Sequence, residues 1–358
     1  MKKKKNSNKK KDLSSIIKEL QGYFWLILVV LVVVFGLYTI QGQLPDQALG
    51  GDDLVLEDDE PRFECSVRRN LDGVCAEDVE TGVYAVMIDR QHEAGSAAGV
   101  NQASLVYEAI VEYPVTRWLV FFSSDVEVPV IGPVRSARPY YVNWAQEFNG
   151  VYAHVGGSNE ALELIKSTDL VDMNQFSKGP YFWRSTKRNA PHNVFTSTEL
   201  INKSIEDYKW DVPVNYDYWM FKSQSPADSD HEQTINVDYK NSVYNVSWVY
   251  NQEDNNYFRK QGGSFESDFD GVQVSTKNLV VMYTDGEVID DYGRRSTRTL
   301  GTGDAVVFQD GQAIESTWRR SSLSTRTRFY DKFQNEIGFN PGRTWINVVP
   351  THFPLAQY

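Results

Sequence analysis

Six lysines fall within residues 1–10, and an uncharged apolar run, YFWLILVVLVVVFGLYTI, fills residues 23–40. No other feature constrains the chain as much. At about 1.5 Å per helical residue the run is long enough to cross a hydrocarbon core. Ahead of it, eight lysines stand against Asp12 and Glu19, a net +6, which leaves −18 for the rest of a chain whose total is −12. Positive charge holds a flank in the cytoplasm. Residues 1–22 therefore read as a cytoplasmic basic tail, residues 23–40 as an uncleaved single-pass signal anchor, and the remainder as extracytoplasmic. A cleaved signal peptide is the rival reading, but the run exceeds a usual apolar h-region and no Ala-x-Ala site follows it. The first cysteine is Cys65, so a lipid attached to a cysteine near the apolar run is not expected.

Residues 41–62 are rich in Gly, Pro and acids and poor in aromatics, a composition that cannot bury enough surface to order itself. They read as a flexible acidic linker. About 300 residues remain beyond it, with abundant Trp, Tyr and Phe, enough for two cores. The excess of acid argues against nucleic-acid binding, since neutralising phosphates needs a basic face. Cys65 and Cys75, the only cysteines, have nine residues between them, with Asp72-Gly73 as a turn. Outside the cytoplasm they form a disulfide or remain a pair of buried thiols. With no neighbouring histidine they do not suggest zinc.

Residues 82–89, GVYAVMID, form a β-branched apolar run and read as a buried strand. LVYEAIVE (105–112) and TRWLVFFSS (116–124) flank Tyr113-Pro114-Val115 as a strand pair, with Glu108, Glu112 and Arg117 at expected outward positions. Residues 138–148 have helical spacing, residues 150–157 read as a strand ending in Gly-Gly, and SNEALELIKS reads as opening on a capping box. A further helix is expected after Thr196 or Ser197. From about residue 210 helix signals give out. Asp285-Gly286 and Asp310-Gly311 sit between β-rich runs, as hairpin turns do. The expected architecture is an α/β (or α+β) domain with a mixed sheet over residues 63–215, followed by a smaller, mostly antiparallel β domain over residues 216–358.

Chemistry concentrates in two stretches. IGPVRSARPYY (131–141) sets Arg135 and Arg138 three apart among Gly and Pro, and guanidinium forks suit carboxylate or phosphate. The alternative is that both arginines form structural ion pairs with Asp89, Glu108 or Glu112. AHVGGS (153–158) and FWRSTKRNAPHN (182–193) add His154, Arg184, Arg188, His192 and Asn193. His154 and His192, with Glu108, are candidates for acid–base work, against the ordinary reading of satisfied structural histidines. On a regular strand Glu108 and Glu112 would lie roughly 13 Å apart at about 3.3 Å per residue, wider than the roughly 5–9.5 Å of glycosidase carboxylates. The five histidines show no short metal-ligand spacing, and no serine elbow, phosphate loop or dinucleotide glycine pattern occurs, so neither metal nor cofactor is expected. Trp118, Trp144, Trp183, Trp318 and Trp345 offer stacking faces, though most are expected in the core.

VMIDR, SLVYEAIVE, TRWLVFF, IGPVRSARPYY, YAHVGGSNEAL and FWRSTKRNAPHN, followed by DDYGRR, LGTGDAVVFQDGQAIESTW and FNPGRTWINVVP, resemble in order and spacing the YerB-like bacterial envelope family, domain of unknown function 3048. The resemblance covers residues 82–349. It implies an extracytoplasmic, membrane-attached protein with an α/β domain and a smaller β domain, and brings no established reaction. Arg90 stands where that family usually has asparagine, and a transmembrane helix stands in place of the usual lipid anchor. The resulting candidate pocket is Glu108, Arg117, Arg135, Arg138, Arg184, His154, His192 and Asn193. The leading expectation is a binder of an anionic cell-wall glycan or peptide. Its alternatives are a scaffold for an envelope or membrane partner, and an enzyme acting on envelope polymer.

Overall fold

A computed structural model describes residues 65–358 apart from residues 66, 80, 113 and 228–232. The basic tail, the apolar run and the linker expected from the sequence lie outside the described residues. Among the described residues no helix is long and apolar enough to cross a membrane. The described residues form one compact unit.

The strands are β1 (Val83–Asp89), β2 (Leu105–Glu112), β3 (Val115–Ser123), β4 (Val151–His154), β5 (Val171–Asn174), β6 (Trp183–Arg184), β7 (Val194–Phe195), β8 (Thr234–Val237), β9 (Val246–Asn251), β10 (Asn256–Gln261), β11 (Ser264–Phe265), β12 (Ser275–Thr276), β13 (Asn278–Thr284), β14 (Gly286–Val288), β15 (Arg295–Thr297), β16 (Gly301–Gln309), β17 (Gln312–Arg320), β18 (Arg328–Asp331) and β19 (Thr344–Pro350). Among the described residues three α-helices, α1 (Pro139–Ala145), α2 (Asn159–Ile165) and α3 (Thr198–Tyr208), all fall in the first half. The N-terminal segment is thus mixed α/β and the C-terminal segment β-rich. Both feed one ten-stranded mixed sheet in the order β18-β17-β16-β13-β19-β2-β3-β1-β4-β5. The last strand, β19, lies parallel to β2 on one side and to β13 on the other, so it stitches the two halves together.

Both faces of this sheet are covered, which is why its strands read as near-continuous apolar runs. Val106, Ile110, Trp118 and Val120 point to one face, under α3 and a second, five-stranded antiparallel sheet of β8 to β12. Leu105, Tyr107, Ala109 and Leu119 point to the other, under α1 and α2. Each fully buried Leu, Val or Phe side chain adds about 1.5–3 kcal/mol to the driving force.

The helices begin where their caps dictate. Ser197 Oγ accepts from the Leu200 amide at 3.1 Å, and Ser158 Oγ from the Ala161 amide at 3.2 Å. The acid behind Ser158 is Glu160, one residue short of the position that would return a hydrogen bond, so only half of a capping box is built. Asp310-Gly311 is the two-residue turn of the β16–β17 hairpin, with both residues at positive φ (56° and 72°). Asp285-Gly286 is not a hairpin turn. The chain leaves the large sheet there, and Gly286 opens β14, whose partner is β15. Cys65 and Cys75 are joined by a disulfide.

Candidate functional site

β1 and β4 run parallel, and their carboxyl ends deliver Asp89 and His154 to one edge of the large sheet, where parallel sheets characteristically hold ligands. The segment 131–138 is pinned across this edge. Pro133 O accepts from the Asp89 amide at 2.8 Å, Met87 O from the Arg135 amide at 2.8 Å, and Arg135 O from the Val155 amide at 3.0 Å. Pro133 and Pro191, in the segments carrying Arg135 and His192, both follow cis peptide bonds.

Three guanidinium groups gather here around two carboxylates. Arg135 Nε sits 2.9 Å from Asp89 Oδ2 but off hydrogen-bond alignment, so the contact is an ion pair. His192 Nδ1 meets the same oxygen at 2.7 Å. Arg138 pairs with Glu112 Oε1, and Arg117 NH2 lies 3.5 Å from Glu112 Oε2. A register shift between Ile110 and Glu112 brings Glu112 into this group. Burial lowers the Arg117 pKa, and neighbouring Arg138 and Arg135 push it the same way, against Glu112 and Asp89. Three positive charges against two negative leave the cluster cationic. Arg117 is nearly closed off at 5% side-chain exposure, whereas Arg138 at 14% and Arg135 at 19% reach solvent.

Glu108 lies elsewhere. It is fully buried on the opposite face of the sheet, not at the outward position expected of it. Arg259 NH2 donates to both of its oxygens (2.8 and 2.9 Å), Thr116 Oγ1 to Oε1 (3.0 Å), and Asn347 Nδ2 and Trp345 Nε1 to Oε2 (3.0 and 3.2 Å). Trp118, Trp248 and Trp345 wall in the Arg259 guanidinium, their ring centroids 5.0, 5.8 and 5.3 Å from it. With every oxygen engaged and no exposure, Glu108 is a structural carboxylate.

The histidines divide as well. His154 is fully buried, with Nδ1 2.8 Å from Gly156 O and Nε2 2.9 Å from Asp172 Oδ1, so both ring nitrogens are engaged. His192 is engaged only through Nδ1 among the described residues. Arg184 and Asn193 hydrogen-bond each other at 2.9 Å, and Arg184 also reaches Gln175 at 3.5 Å. Neither joins the ion pairs of the cluster; Arg184 ends β6 and Asn193 immediately precedes β7, in the two-stranded ribbon beside it. Of the five tryptophans singled out, Trp183 alone is exposed.

Sequence reasoning missed a second constellation beside this one. Arg90, next to Asp89 but on the other face, pairs with Glu266 and stacks over Trp118 at 4.1 Å. Burial pushes its pKa down to about 10, against the carboxylates of Glu108 and Asp89. Arg90 and Glu266 lie 176 residues apart in sequence, so no local spacing announces the pair.

Two family profiles match: the DUF3048 (protein of unknown function) N-terminal domain over residues 71–211 and the DUF3048 C-terminal domain over residues 235–346. YerB of Bacillus subtilis strain 168, named as a candidate lipoprotein, is 30% identical over 270 residues, covering 74% of this chain and 80% of YerB. The crystal structure of Bacillus subtilis YerB superposes with a TM-score of 0.71 at 28% identity, over 79% of this chain and 96% of that one.

Proposed function

The chain belongs to the DUF3048 family, and from that premise we propose that it is a membrane-associated, extracytoplasmic protein of the cell envelope that holds an anionic group of a cell-wall glycan or peptide at Arg117, Arg135 and Arg138. The candidate-lipoprotein name of its relative supports the envelope setting. The length of the apolar sequence at 23–40 and the lysines ahead of it support attachment through a single-pass anchor with a cytoplasmic N-terminus. One observation carries the ligand reading: three guanidinium groups share two carboxylates at a strand-end edge, and two of the three reach solvent. An incoming carboxylate or phosphate completes that charge balance.

The test uses the full chain in detergent, sedimented with insoluble cell-wall polymer. The informative variant is Arg138→Ala, because its partner Glu112 is 30% exposed and keeps Arg117. Arg135→Ala is the poorer probe, since it strips an ion-pair partner from the buried Asp89. Losing one charge-assisted contact of about 1.5–3 kcal/mol corresponds to roughly ten- to hundred-fold weaker retention. Methyl-esterified polymer should retain the wild-type chain more weakly than the untreated polymer does. Undiminished retention of Arg138→Ala refutes the reading.

One observation favours a second reading, an enzyme acting on the same polymer. His192, oriented by Asp89 through Nδ1, presents an unengaged Nε2 in the manner of a general base. That reading predicts soluble fragments in the supernatant by mass spectrometry and their disappearance with His192→Gln. Retention without fragments leaves the binder.

A further inference from the structure

A cleft of about 590 Å³ opens between residues 90–96 of the first half and the β10–β11 edge of the second sheet. That volume falls within the roughly 300–1,000 Å³ typical of small-ligand sites. Its floor carries no free charge. Arg90 is closed by Glu266 and by Gln261 Oε1 at 3.2 Å, and Glu266 is held from behind by Arg259. Its walls are mostly short and polar, His92 among them, with Ser96, Ser242, Ser264 and Gln91 offering hydroxyl and amide groups that both donate and accept. Two apolar faces interrupt this polar lining. Phe265 is 55% exposed and Val243 41%, and Lys260 Nζ steadies the Phe265 ring from one side, 4.3 Å from its centroid.

The paired floor neither repels nor rewards ligand charge, and the Lys260 ammonium beside it lies against the Phe265 ring. An aliphatic ligand would leave the serines and Gln91 unpaired, at about 1–3 kcal/mol for each group it buries. The lining instead matches a molecule that is uncharged, dense in hydroxyl and amide groups, and apolar across the faces of its rings. We propose that this cleft is a binding site for an uncharged saccharide, with Phe265 as the stacking platform and the serine and glutamine side chains as hydroxyl partners. The site is independent of the arginine cluster: Arg90 faces it from one side of β1, and Asp89 faces the cluster from the other.

Isothermal titration of the full chain in detergent with the neutral trisaccharide of N-acetylglucosamine tests the proposal. Saturable binding is expected for the wild type and for Arg138→Ala. Phe265→Ala should weaken it at least ten-fold, and Ser242→Trp, which fills the cleft from an exposed position, should abolish it. Both variants should keep the wild-type melting temperature. No saturable binding by the wild type overturns the proposal, as does binding that survives both cleft substitutions. Binding lost only with Arg138→Ala also overturns it and assigns the sugar to the arginine cluster. An uncharged tripeptide that displaces the trisaccharide would make the cleft a peptide site instead and likewise overturn it.

Discussion

On the two faces of strands β1 and β2 the same residue types are assembled to opposite ends. Under the second sheet, Glu108 and Glu266 meet Arg90 and Arg259, two charges of each sign, with both Glu108 oxygens bonded and Arg259 wholly buried. At the strand-end edge, Asp89 and Glu112 meet Arg117, Arg135 and Arg138, an excess of cation with two guanidinium groups reaching solvent. A closed, balanced cluster has nothing left to offer a ligand, and its worth lies in holding together elements distant in sequence. An open cluster left with net charge is stable only with help from solvent or a ligand. Saturation, rather than the presence of arginine, separates the structural group from the candidate site.

Breaking the closed cluster should produce the largest effect. Glu108→Ala leaves Arg259 buried against Glu266 alone, and the loss of a buried partner is expected to cost about 3–5 kcal/mol, read as a shift in the denaturant midpoint. The folded fraction should retain anionic polymer as the wild type does. A loss of retention per folded molecule would mean that the two clusters are not separate. Asp89→Asn is expected to cost less, about 1.5–3 kcal/mol, because the isosteric amide keeps the hydrogen bond from the Gln91 amide (3.0 Å) while giving up charge-assisted pairing to Arg135 and His192. It also removes a negative charge from the open cluster. Retention of anionic polymer should therefore tighten, and an unchanged affinity would argue that the excess charge is not what binds.

How far each cluster was legible in the sequence follows from what sets its geometry. The strand pair 105–123, the caps at Ser158 and Ser197 and the Asp310-Gly311 turn are local events, and local spacing shows them. The arginines of 131–138 stand out because they sit in one Gly- and Pro-shaped segment. Their sorting against carboxylates does not, since a register shift of one residue decides that Glu112 joins them while Glu108 turns to Arg259, 151 residues away. Asp285-Gly286 failed as a hairpin signal for the same kind of reason. β13 takes its partners from β16 and β19, and pairing across the sheet outweighs the turn preference of a dipeptide.

A third cluster gives the comparison a pH axis. Burial acts to raise the Asp310 pKa, but Lys222, Asn255 and Asn340 outweigh it and hold the carboxyl below its ordinary value. A depressed carboxyl contributes stability that is present above its unfolded pKa, near 3.9, and is lost as pH falls through the lower folded value. Asp310→Asn should thus cost on the order of 1–2 kcal/mol at neutral pH, with the deficit shrinking in acid as the wild type loses the same contribution. A deficit independent of pH would assign the cost to hydrogen-bond geometry in the turn rather than to charge.

The smallest expected change in stability belongs to Arg138→Ala, and it is the sharpest test of the contrast. Glu112 is partly exposed and keeps Arg117, so the lost pair falls in the range of exposed ion pairs, about 0–1 kcal/mol. The substitution also relieves the repulsion that helps depress Arg117, which offsets part of even that cost. Against roughly ten- to hundred-fold weaker polymer retention, this near-silent melting curve is what an open site predicts: its residues are held for a ligand more than for the fold. A loss approaching that of Glu108→Ala would show Arg138 to be as structural as Arg259, and the distinction between the two faces would then rest on Arg135 alone.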